Sequence, residues 1–73
     1  MIRVKFIVEH GVDAAEWLND CSETMPWIQY LRENATDCHV MRHYAADTFQ
    51  DMLEYVFYLE PAKQTYYLMK YST

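Results

Sequence analysis

The first nine residues alternate: Ile2, Val4, Phe6 and Val8 fall on one side, and Arg3, Lys5 and Glu9 on the other, with Ile7 as the single apolar interruption. Alternation at period two predicts a half-buried strand. Gly11, the only glycine in the chain, predicts the turn that ends it, because a residue free to take positive φ reverses the chain at least cost.

From Asp13 the period changes. Asp13 stands three residues before Glu16, the D-x-x-E arrangement of a helix start, in which the Asp side chain accepts from first-turn amides. Ala14, Leu18, Cys21, Met25, Ile28 and Leu31 then recur at steps of three and four, the spacing of one helical face. Pro26 interrupts this run, and a proline inside a helix removes a hydrogen bond and clashes with the preceding turn, at a cost of about 3 kcal/mol. The pattern therefore predicts two consecutive helices, residues 14–21 and 26–33, with Ser22 or Thr24 as the second N-cap and Asn34 as a C-terminal cap.

Alternation returns over residues 38–44, with Cys38, Val40, Arg42 and Tyr44 on one side and His39, Met41 and His43 on the other. This predicts a second strand. Asp47 resembles another N-cap, and Phe49, Met52, Leu53 and Val56 follow at helical spacing, whereas Tyr55 to Leu59 is aromatic and β-branched. The preferred reading is a short helix at 48–53 followed by a hairpin, strands 55–59 and 65–71 around the loop Pro61-Ala62-Lys63-Gln64. The other reading extends the helix to Leu59.

These elements predict an α+β fold: a small, mainly antiparallel sheet of three to four strands, with one or two helices and a short third helix packed on one face. The expected core is Val4, Phe6, Leu18, Ile28, Leu31, Val40, Phe49, Leu53 and Leu68. At 73 residues the chain predicts one domain, residues 1–73. Hydrophobic residues make up 52% and aromatics 16%, and large rings let so small a core bury enough area. Two cysteines, Cys21 and Cys38, are too few for a disulfide framework. With no signal-like or membrane-length apolar run, the expectation is a reduced, cytoplasmic chain without a membrane partner.

Charge changes the picture most. Six basic residues stand against eleven acidic ones, a formal −5, which disfavours direct binding to nucleic acid. All the acids lie between Glu9 and Glu60, where only Arg32 and Arg42 oppose them, so 11 minus 2 leaves that span at −9. They are also periodic. Asp13, Glu16, Asp20 and Glu23 share one helical face, and Asp47, Asp51 and Glu54 would share another. Like charges at these spacings weaken a helix by about 0.2–0.5 kcal/mol per pair, and only those in a first turn recover anything from the helix dipole. A solvated face would account for the pattern; a basic partner would account for its unfavourable members.

Seven tyrosines include five in the last third of the chain. On the predicted hairpin, Tyr58, Tyr66, Tyr67 and Tyr71 would leave at least one aromatic face open, either for cross-strand packing or for docking. Stacking of nucleic-acid bases on such rings needs a basic surround, which the composition lacks. His39 and His43 on one strand stand about 13 Å apart, too far to share a metal ion. No nucleophile motif or phosphate loop accompanies them, so neither a metal nor a cofactor is expected.

The function expected from these features is that of a small, acidic, non-enzymatic protein-binding module. It would regulate or inhibit a larger protein with a basic surface, including one that otherwise binds nucleic acid, by presenting an acidic helix face that mimics nucleic-acid charge and an aromatic patch. The binding residues would be Asp13, Glu16, Asp20, Glu23, Asp47, Asp51, Glu54, Tyr58, Tyr66, Tyr67 and Tyr71. The profile is similar to that of inhibitors encoded by phages and mobile elements. The alternatives are a structural subunit or homodimer joined through the tyrosine hairpin and, more remotely, a small enzyme built on His39 and His43.

Overall fold

The computed structural model describes residues 1–71. Six elements follow in order: β1 (Ile2–Val8), α1 (Ala14–Thr24), α2 (Pro26–Asn34), β2 (Asp37–Ala45), β3 (Gln50–Tyr58) and α3 (Pro61–Tyr71). The strands form one antiparallel sheet in the order β1-β3-β2, with Phe6 opposite Leu53 on one side of β3 and Arg42 opposite Leu53 on the other. This is the expected small α+β architecture, with three strands. No helix among the described residues is long and apolar enough to cross a membrane.

The first half follows its sequence pattern. Gly11 takes φ +82°, the left-handed region where a Cβ would be strained. Asp13 caps α1, its Oδ1 accepting from the amides of Ala15 and Glu16, each at 3.0 Å. α1 runs to Thr24, three residues beyond the expected end, before Pro26 opens α2 as its first residue. The N-cap of α2 is Met25, with no side-chain hydrogen bond, rather than Ser22 or Thr24, which bond backward to carbonyls of α1. Asn34 is the last residue of α2 and donates to the Tyr30 carbonyl at 2.9 Å.

The second half departs from the expectation in two places. Residues 48–53 are not a helix: the chain turns at Thr48, whose amide donates to the Ala45 carbonyl, and Phe49 takes φ +55° before β3 begins at Gln50. Tertiary pairing overrides the helical spacing here, because as a strand β3 pairs with β1 and β2 at once. The last segment is not a strand. Pro61 suits a first helical position, the Gln64 amide donates to the Glu60 carbonyl at 2.9 Å, and Gln64, Tyr67 and Tyr71 fall at steps of three and four on the less exposed face of α3.

The helices cover one face of the sheet. Leu53, Tyr55 and Phe57 of β3 are buried there with Leu31, Val8 and Tyr67, and Val4, Phe6, Trp17, Leu18 and Trp27 pack around them. Phe6 is the hinge of this core: its ring lies 5.9 Å from Trp17, 6.4 Å from Trp27 and 6.0 Å from Tyr55. The Tyr55 hydroxyl donates to the Ala14 carbonyl at 2.6 Å, tying the central strand to the start of α1. Ile28, Leu31 and Leu53 are buried as expected, whereas Val40, Phe49 and Leu68 are exposed. Phe49 sits at the turn, Leu68 is on the outer side of a helix, and Val40 lies on an edge strand.

Candidate functional site

Asp13, Glu16, Asp20 and Glu23 are all exposed on α1. Asp13 is committed to its cap and Glu16 lies in the first turn, but α1 has no basic residue in its last turn to meet Asp20 and Glu23. Glu23 lies in that last turn, at the negative end of the helix dipole, and Asp20 lies just before it. Among the described residues, the ion pairs within 4 Å all join a histidine to a carboxylate, and none uses Lys or Arg. The acidic face of α1 is therefore not neutralised by basic side chains of the fold. At its C-terminal end a groove of about 500 Å³ opens between Ser22, Glu23, Gln29, Arg32 and Glu33, with Arg32 held by its 3.0 Å hydrogen bond to the Ser22 hydroxyl.

The second acidic run has a different fate. Because residues 50–58 are a strand, Asp47, Asp51 and Glu54 do not share a face: Asp47 is exposed in the turn, while Asp51 and Glu54 point to opposite sides of the sheet and are both buried. Asp51 Oδ2 lies 2.9 Å from His10 Nδ1 and accepts from it in the tautomer that carries its proton there. Glu54 stands in the register row between Lys5 and Met41, and its Oε1 lies 3.1 Å from His43 Nε2.

The tyrosines separate in the same way. Tyr58 is exposed on the sheet face that no helix covers, against His39 at 5.5 Å between rings. Tyr66, Tyr67 and Tyr71 gather on α3 around Tyr30, whose ring lies 5.3 Å from Tyr66, 6.4 Å from Tyr67 and 5.9 Å from Tyr71. Of these, Tyr67 is buried, and burial pushes its hydroxyl above the ordinary tyrosine range. Lys70 donates to the Tyr66 hydroxyl at 3.1 Å and sits 5.5 Å over the Tyr66 ring; that hydrogen bond raises the Lys70 ammonium above its ordinary value. The cluster mostly joins α2 to α3, and only Tyr66 and the open edge of Tyr71 remain for a partner.

His39 and His43 do not converge. His39 Nε2 pairs with Asp37 at 3.0 Å and His43 with Glu54, each histidine with its own carboxylate. A feature the sequence did not signal is a groove of about 490 Å³ lined by His10, Gly11, Arg42, Tyr44 and Asp51. Here Arg42 donates to the Val12 carbonyl and a buried carboxylate orients His10. Distant segments build it, the β1–α1 turn and the β2 and β3 strands, so no local motif could announce it. Among the described residues no group of three or more His, Cys, Asp or Glu side chains is placed to hold a metal ion. Both thiols are free; burial first, and then the neighbouring Asp20 and Asp37, push Cys21 and Cys38 above the ordinary thiol range.

Comparison of the chain with protein-family models, with curated proteins and with solved structures gives no match.

Proposed function

We propose that the chain is a small, non-enzymatic protein-binding module that docks on a basic surface of a larger protein through the outer face of α1, and in doing so regulates or inhibits that protein. The observation that carries this reading is the placement of Asp20 and Glu23 in the C-terminal half of α1, outside its favourable first turn, exposed and without a Lys or Arg partner among the described residues. A helix face that is destabilising in isolation gains stability when a cationic surface meets it. The contact set is narrower than the sequence suggests: Asp13, Glu16, Asp20 and Glu23, with Asp51, Glu54 and Tyr67 withdrawn into the fold.

Successive turns of α1 set its carboxylates about 5–6 Å apart, a spacing close to that of backbone phosphates, so a nucleic-acid-binding surface is the class of partner it fits best. Binding of the full chain to an immobilised lysine- and arginine-rich peptide tests the electrostatic premise. The affinity is expected to fall steeply as salt shortens the Debye length from about 30 Å at 0.01 M to about 8 Å at 0.15 M. Binding that is absent at low salt, or indifferent to salt, contradicts the proposal.

A further inference from the structure

β2 is exposed along most of its length and on both faces, with His43 and Ala45 the only positions partly covered. It has one neighbour, β3, so the other side of its backbone ladder is unpaired within the sheet. Val40, Met41 and Tyr44 are all large, apolar and exposed on it. Natural edge strands are guarded by proline, lysine, bulges or a covering helix, and Asp37–Ala45 contains neither proline nor lysine and pairs with β3 without a break in register. The opposite edge, β1, is better guarded. It carries Arg3 and Lys5, Phe6 packs under Trp17 and Trp27, and the Met1 ammonium bonds to Gln64 of α3.

We infer that β2 pairs antiparallel with β2 of a second copy of this chain, across a two-fold axis normal to the sheet, to make a continuous six-stranded sheet. Charge favours a second copy as the occupant. The chain is at −5 overall, yet β2 holds one acid, Asp37, against Arg42, His39 and His43, so it is the one surface strand on which two copies do not repel.

Symmetry then restricts the register. A two-fold normal to the sheet keeps each side chain on its own face, so directly opposed residues must be an even number of positions apart, and one residue sits on the axis. An axis at Arg42 sets two guanidiniums face to face, and axes at His39 or His43 do the same with imidazoles. An axis at Met41 opposes His39 to the partner's His43. An axis at Val40 opposes Asp37 to the partner's His43 twice over, Cys38 to the partner's Arg42 and Val40 to the partner's Val40; it sets no like side chains of Arg or His face to face, and it pairs residues 37–43 where axes at Cys38 or Tyr44 would pair only three residues of the strand.

Sedimentation of the full chain is expected to give twice the 8.8 kDa chain mass. Val40→Lys, which sets two ammoniums on the axis at a position 46% exposed, is expected to return it to the single-chain mass with its circular dichroism unchanged. The register is read by cross-linking in a Cys38→Ala background. Opposed Cα atoms lie about 4.5–5.5 Å apart, within disulfide range, so Val40→Cys is expected to form a covalent dimer on mild oxidation. Met41→Cys is not, because its two copies stand roughly 8 Å apart in this register. A single-chain mass at every concentration overturns the inference. So does a dimer that survives Val40→Lys, or one that Met41→Cys locks and Val40→Cys does not.

Discussion

Two stretches of this chain carry carboxylates at the same three- and four-residue spacing, and the fold treats them in opposite ways. On α1 the spacing is realised as a helix, so Asp13, Glu16, Asp20 and Glu23 line up in solvent. Around β3 the same spacing is threaded onto a turn and an extended strand, so Asp51 and Glu54 fall on opposite faces, buried against His10 and His43. A periodic charge pattern becomes a surface only if the backbone adopts that period. The first run is a candidate docking face; the second belongs to the interior of the sheet.

Substitutions that treat the two runs alike separate them most clearly. Glu54→Lys has the largest expected effect: it places an ammonium beside Lys5 at a position 5% exposed and breaks the contact with His43, for a loss of about 3 kcal/mol in urea unfolding. A loss below about 1 kcal/mol would mean that a side chain at position 54 can swing into solvent. Next comes His43→Ala, which strands the Glu54 carboxylate and is expected to cost about 1–3 kcal/mol. His10→Ala should cost less than about 1 kcal/mol, since the His10 side chain is 94% exposed and its pair with Asp51 is open to water on that side. Equal losses for the two histidines would mean that the Asp51 and Glu54 pairs are shielded from water to the same degree, despite the greater exposure of His10.

Legibility in the sequence follows the same division. β1, the Asp13 cap, the break at Pro26 and β2 can each be read because the local pattern and the tertiary environment agree: one face buried, one exposed, one residue able to cap or turn. β3 is unreadable as a strand over its first half because a central strand is buried on both faces. Met52, Leu53 and Val56 therefore lose the alternation that would mark it and mimic helical spacing by accident. α3 misleads for the reverse reason. Its tyrosines are strand-favouring by propensity, yet they pack as a helix-to-helix cluster around Tyr30; Pro61 at the first helical position is the signal that could have found it. β2 reads as a strand, but nothing local tells that it is an edge, and so its pattern places Val40 in the core. The acidic face of α1 is legible in full, whereas the groove at His10, Arg42 and Asp51 depends on strand order alone.

On the proposed reading the face of α1, and not the net charge of the chain, meets a basic partner. Two charge-matched variants address it. One is Asp13→Asn, Glu16→Gln, Asp20→Asn and Glu23→Gln, in which the asparagine that replaces Asp13 is still a competent helix cap. The other is Glu9→Gln, Glu33→Gln, Asp47→Asn and Glu60→Gln, all at exposed positions. Each removes four charges, from −5 to −1. Measured against the same lysine- and arginine-rich peptide at low salt, the first is expected to lose at least about tenfold in affinity, some 1.4 kcal/mol, while the second stays within about threefold of the unmodified chain. Equal losses in both would contradict the account, reducing the α1 face to a solvated surface.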